Sequence, residues 1–252
     1  MGLDFLEKLT NTYERKARLY PVFLLLAPVV MLVVGVYGVA LELKATVAGT
    51  LATFGVFYLA ASIVRENGKR LEDSLFTKWG GKPTTQILRH GNTEIDPVTK
   101  ARYHAFLSKH LGVEFPSKAS EENDPEGADH IYQSATKWLL DRTRDKKTFA
   151  LLFDENVAFG FRRNCLGIRP FGIAVSAITL AWSLTKSDVI TAQGIDTASL
   201  ASLSIGTSVS LAVSLCMLFV WTFFVTKETV KTAAFGYAHM LFRTCDVLPK
   251  KR

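Results

Sequence analysis

Five histidines, three cysteines and two basic clusters are the residues of this chain whose types could carry chemistry. His90, His104, His110, His130 and His239 fall neither in an HExxH pattern nor beside a cysteine pair, so packing and surface roles are the plainer reading. Cys165, Cys216 and Cys245 are far apart and form no CxxC, which suits small core residues in a reducing compartment and neither a disulfide framework nor a zinc site. Asp154-Glu155 precedes Arg162-Arg163 by one to two helical turns, a spacing that serves ion pairing better than catalysis by paired carboxylates. There is no Walker loop, no GxSxG and no dinucleotide fingerprint. No catalytic residues, metal or cofactor are therefore assigned, and the chain is not expected to be an enzyme.

Anion recognition is the chemistry that remains. Gly80-Gly81-Lys82-Pro83-Thr84-Thr85 has glycines, a lysine and hydroxyls at an expected helix start, as a phosphate-cradling loop does, but without the full Walker spacing. A capped helical turn is the plainer reading of the same residues. Arg142, Arg144, Lys146, Lys147, Arg162 and Arg163 lie among Tyr132, Trp138, Phe159 and Phe161, the mixture of cations and rings that single-stranded nucleic acid or a nucleotide requires. Head-group contact before a membrane span is the competing explanation for Arg162 and Arg163. Candidate ligand contacts are thus Lys82, Arg89, Arg144, Arg162 and Arg163.

The elements that must position these residues are read from charge. Charged side chains vanish from Pro21 to Leu41, Ala45 to Val64, Pro170 to Thr185 and Thr197 to Thr226. A helix needs about 20 apolar residues to cross a hydrocarbon core of roughly 30 Å. The first, second and fourth stretches have that length, and the third is shorter. The expected fold is an all-α membrane protein, with four transmembrane helices in two hairpins flanking a helical cytoplasmic domain. The expected organisation is an amphipathic helix at 1–20, a first hairpin at 21–64, a sensor domain at 65–169, a second hairpin at 170–226 and a C-terminal helix at 227–252. The first apolar stretch is too long and too late for a cleaved signal core and reads as a retained span.

Of the 30 lysines and arginines, 28 lie in 1–20, 65–169 and 227–252, which puts both termini and the central domain in the cytoplasm by the positive-inside rule. The central segment has 18 basic and 15 acidic residues, so the net charge of +7 mostly reflects span-flanking residues and says little about nucleic acid. No charge lies inside a span, which argues against an ion-coupled transporter. The fourth stretch carries Thr207, Ser210 and Ser214 along one side, and the third carries Ser176, Thr179 and Ser183. Close helix packing explains such hydroxyls. A weakly polar pore lining formed by Thr207, Ser210 and Ser214 from several subunits is the alternative.

Within the central segment, Asp96-Pro97 and Asp124-Pro125 mark helix starts, Gly80-Gly81-Lys82-Pro83 ends one helix and opens another, and Gly112 to Asn123 reads as a loop. The second span is expected to continue unbroken into Arg65–Trp79, and no strand of useful length is expected.

Three runs, Trp79-Gly80-Gly81-Lys82-Pro83-Thr84-Thr85, Thr143-Arg144-Asp145 and Glu155-Asn156 with Gly160-Phe161-Arg162-Arg163-Asn164, resemble those of bacterial membrane proteins encoded beside nucleotidyltransferases: the membrane effectors of the Hailong anti-phage defence system. The resemblance covers roughly residues 65–169. It implies an oligomeric, tetrameric pore in the bacterial inner membrane. It also implies a partner nucleotidyltransferase whose short single-stranded oligodeoxynucleotide binds the cytoplasmic domain and holds the channel shut. No residue role transfers with it. On the residues alone, a non-catalytic membrane scaffold that binds a protein partner stays open.

Overall fold

The computed structural model describes residues 12–37 and 47–249, without the side chains of 47–54. The start of the expected amphipathic helix and Glu42-Leu43-Lys44, the connection between the first two apolar stretches, lie outside the described residues. Among the described residues the structure is all-α apart from one small hairpin, and the chain forms two compact units, residues 1–71 with 160–229 and residues 72–159 with 230–252. The helices Val47–Lys78, Ala150–Lys186 and Lys227–Arg243 contribute residues to both.

The first unit holds the apolar stretches. Three of its helices are long and apolar enough to cross a membrane: Glu14–Tyr37, Ala150–Lys186 and Ile205–Phe224. The apolar stretch Ala45–Val64 falls largely in the Val47–Lys78 helix, which at 32 residues and about 1.5 Å per residue is roughly 48 Å long and runs through Gly68 without a break. Pro170 sits inside the 37-residue Ala150–Lys186 helix without ending it.

Glycine brings these helices together. A Cβ on Gly35 would strike the backbone of Gly206, and one on Gly206 would strike Gly35, so these two helices meet backbone to backbone. A Cβ on Gly167 would lie 2.7 Å from the Gly68 nitrogen, and one on Gly172 would enter the ring of Trp221. Between these contacts Val22, Val64, Cys165, Ile168 and Trp221 form the buried core of the unit.

Two segments, Glu14–Leu19 and Val220–Phe224, are wound as π-helix. Both are braced by side chains of the Ala150–Lys186 helix. Asn164 donates through Nδ2 to the Ala17 carbonyl at 2.7 Å. Arg169 donates through Nε to the Trp221 carbonyl at 3.0 Å and through Nη2 to that of Thr222 at 2.9 Å. Wide turns expose carbonyl oxygens that a regular helix would engage, and these donors take them up.

Among the described residues the β-structure is two residues per strand: Ile190-Thr191 pairs antiparallel with Gly194-Ile195. Two residues per strand are too few for an alternating pattern to register in sequence, and Gly194, the first residue after the two-residue turn, takes φ 132°.

The second unit is a small helical domain. Asp96 caps Pro97–Leu111 by accepting from the Thr99 N–H at 2.8 Å, and Asp124 caps Pro125–Arg142 by accepting from the Gly127 N–H at 2.9 Å. Ile87, Leu88, Leu107, Tyr132, Leu139, Leu241 and Phe242 close its core. The expectation of a loop at Gly112–Asn123 is corrected by a short helix, Lys118–Asn123, capped by Ser117. It carries no apolar stripe, so periodicity could not reveal it. Glu121 ties it down instead, accepting from the His90 N–H at 3.0 Å and the Tyr132 hydroxyl at 2.6 Å.

Residues 230–252 belong to the same unit as 72–159 and do not stand apart as a C-terminal helix. The Lys227–Arg243 helix buries Val230, Ala233, Ala234, Ala238, Leu241 and Phe242, an i, i+3, i+4 stripe that requires a partner.

Candidate functional site

The Val47–Lys78 helix ends in a glycine turn. The Gly81 N–H donates to the Phe76 carbonyl at 2.8 Å, and Gly80 and Gly81 take φ of 83° and 128°, which favours residues without a Cβ. Pro83 then opens the single turn Pro83–Gln86. Arg89 locks this turn to the Pro125–Arg142 helix. It donates through Nη1 to the Gly80 carbonyl at 2.8 Å and grips Asp129 with Nε at 2.8 Å and Nη2 at 2.5 Å. The bond from Asp129 outweighs the cost of burial and raises the Arg89 pKa above its ordinary value. Arg89 is thus a bidentate structural pin, already occupied by a carboxylate.

Beneath the turn is a cavity of about 580 Å³. Its polar wall comes from Lys82 and Thr85 of the turn and from His130, Gln133 and Lys137 of the Pro125–Arg142 helix. Phe76, Phe159 and Tyr237 supply aromatic wall. A second cavity of about 320 Å³ shares Phe76, Lys82, Thr85 and Gln133 with the first. Among the described residues neither Lys82 nor Lys137 has an ion-pair partner. Thr85 is 2% exposed, and its hydroxyl has no hydrogen-bond partner among the described residues. A buried orphan hydroxyl in the wall of a cavity that two lysines also line, neither with an ion-pair partner among the described residues, suits an anionic oxygen.

Of the five basic residues expected from the sequence, Lys82 lines this cavity. Arg144 is exposed and pairs with Asp141 at 2.5 Å. Arg162 and Arg163 belong to the other unit. There Arg162 donates to the Thr229 carbonyl at 3.1 Å, and Arg163, 6% exposed, donates to the Asn164 side chain at 3.1 Å. Arg89 is thus committed to a carboxylate, and Arg163 is buried in a helix contact of its own unit. Lys137 was missed. Its signal is the polar stripe His130, Gln133, Ser134 and Lys137, on the side of the helix opposite buried Ala128, Tyr132, Ala135 and Leu139.

The hydroxyl residues of the first unit take the packing role. Thr207, Ser210 and Ser214 are buried within their own chain. The Ser214 and Thr179 hydroxyls lie 3.2 Å apart and those of Ser210 and Ser183 3.3 Å apart, joining two helices by a hydroxyl seam. Within the chain Ser210 and Ser214 therefore face the partner helix.

The histidines serve the core of the second unit or its surface. Nε2 of His104 is 2.8 Å from the Leu88 carbonyl, and burial pushes its pKa down to about 4, so the ring stays neutral. Nε2 of His90 is 2.9 Å from the Pro116 carbonyl. Lys100, 5% exposed, donates Nζ to the carbonyls of Arg89 (2.6 Å) and Asn92, and burial lowers its pKa. Among the described residues no group of three His, Cys, Asp or Glu side chains could hold a metal ion.

Comparison of the chain with protein-family models, with curated proteins and with solved structures gives no match in any of the three.

Proposed function

We propose that this protein is an oligomeric membrane channel, non-catalytic, whose helical unit binds a nucleotide-class ligand that sets the channel's state. One observation carries the reading: a single chain joins helices long enough to cross a membrane to a helical unit with a cavity lined by two unpaired lysines and a buried orphan hydroxyl. On this reading the Ala45–Val64 stretch is a further span, giving four in two hairpins, with the termini and the ligand unit in the cytoplasm of a bacterial cell. The 28 basic residues outside the two short connections support that orientation.

With the hydroxyl seam closed inside each chain, the conducting path lies between copies, against apolar faces such as those of Ile178, Trp182 and Leu215. An apolar constriction can gate by dewetting, so no charge inside a span is required. A tetramer and a role as an anti-phage effector follow from the resemblance of the short runs described above. In that role a single-stranded oligodeoxynucleotide from a partner nucleotidyltransferase holds the channel closed. A ligand does this only by binding the closed state better. Reversing a 99:1 population demands about 10⁴-fold selectivity.

The test is ion flux through liposomes containing the purified protein, with and without thymidine oligonucleotides. Flux suppressed by the oligonucleotide in the wild type, and less suppressed in Lys82→Ala, is the expected result. A protein that never conducts, with or without oligonucleotide, is a scaffold. A reporter fused after residue 100 should stay inside the cell, and its appearance outside would reverse the topology.

A further inference from the structure

We infer that the cavity under the Gly80–Thr85 turn takes the phosphorylated end of a nucleotide chain, or a lone nucleotide, and does not grip the interior of a strand. The inference rests on the ligand reading above and specifies which part of the ligand is recognised.

Size is the first argument. About 580 Å³, with a further 320 Å³ across the wall formed by Phe76, Lys82, Thr85 and Gln133, falls within the range of pockets that enclose a small molecule. A strand interior needs an open groove instead, with cations following the phosphates and rings following the bases. Four arginines that could extend such a track from this unit are engaged. Arg89 is held by Asp129, Arg102 by Asp246 and Arg144 by Asp141, while Arg142 lies over the Trp138 ring at 5.4 Å.

Charge is the second. A terminal phosphate carries about −1.5 to −2 near neutral pH, against −1 for a diester within a strand. Lys82 and Lys137, both lining one cavity without a partner, match the dianion. Glu72 on the same wall disfavours an anion next to it, which leaves the phosphate to the side of Lys82, Thr85 and Lys137. The Thr85 hydroxyl, buried and without a partner among the described residues, gains its missing bond from a phosphate oxygen. Phe76, Phe159 and Tyr237 then offer ring surface to the one base that follows.

The experiment uses full-length protein in detergent micelles and a ten-nucleotide thymidine strand labelled at an internal base. The strand is prepared with a 5′-phosphate, with a 3′-phosphate, with neither, and as a closed circle. One phosphorylated linear form should bind about tenfold tighter than the unphosphorylated or circular form, as expected for a charge-assisted contact. Thymidine monophosphate should displace it. Lys82→Ala and Lys137→Ala should each reduce that preference to about twofold or less, and Thr85→Val, nearly isosteric, should weaken binding about threefold. Lys118→Ala, outside the cavity, should preserve the preference. Unchanged melting temperatures show that the variants fold, and Thr85→Val serves if a lysine variant does not.

If circle and phosphorylated strand bind equally, the strand interior is the ligand: the inference falls and the oligonucleotide reading stands. Binding of thymidine monophosphate but of no strand upholds the inference and removes the oligonucleotide. If no probe binds, both fail.

Discussion

Asn164 is the sharpest place to test the architecture of the apolar unit. Its side chain is fully buried, donates to the Ala17 carbonyl at 2.7 Å and accepts from Arg163 at 3.1 and 3.3 Å. Asn164→Ala strips the Ala17 carbonyl of its donor and takes an acceptor from a buried guanidinium. Each buried group left short of a partner costs about 1–3 kcal/mol, so about 3 kcal/mol is expected for the two together. For a chain of this length each kcal/mol is worth roughly 2–4 °C, which sets the fall in melting temperature at about 6–12 °C. Asn164→Asp keeps the acceptor for Arg163 and loses only the donor, so about half that fall is expected. Thermal unfolding in detergent, followed by circular dichroism, reads both, with the exposed Thr77→Ala as control. If Asn164→Ala melts within about 2 °C of the wild type, the bond to the π-wound turn contributes nothing and the reasoning fails.

Gly206→Leu should separate the Gly35 and Gly206 backbones and lower the melting temperature by at least as much, whereas Gly55→Leu, with open space around it, should not. Ser210→Leu should cost about 1–3 kcal/mol by overpacking the closed hydroxyl seam; an intact melting temperature with altered conductance would return Ser210 to a pore wall. His104 gives a pH dependence. Its folded pKa of about 4 lies below the unfolded value of 6.5, so stability is complete above pH 6.5 and falls as pH drops toward 4. His90, Lys100, Glu121 and Tyr132 surround it. His104→Gln should therefore remove about 2 kcal/mol of the stability lost between pH 7 and 5, measured by denaturant titration at each pH; identical losses in the two proteins would rule His104 out as the source.

Much of this was legible because the forces are local. Asp before Pro announces a helix by its cap, and Asp96 and Asp124 both act as caps. Long runs without charge read as apolar helices because no wet face could be built from them. The remainder depends on partners remote in sequence. That Lys137 shares a cavity with Lys82, that Asp129 occupies Arg89 and that Asn164 meets Ala17 are facts of packing, and no spacing encodes them. Charge counting overvalued Arg163 for the same reason: an arginine's availability is decided by what its neighbours have already accepted. The hydroxyls of Ser210 and Ser214 were visible, but their partners Ser183 and Thr179 sit on another helix, and periodicity alone favoured packing without naming those partners.

The helical unit is drawn from two stretches with the final apolar helix between them. During synthesis residues 72–159 emerge early, yet Ala238, Leu241 and Phe242 of their core follow only after Ile205–Phe224 has been made. The helical unit therefore waits half-built, its apolar floor uncovered, until the Ile205–Phe224 helix has left the ribosome. A chain that stops before Lys227 lacks Ala238, Leu241 and Phe242 and cannot close this core.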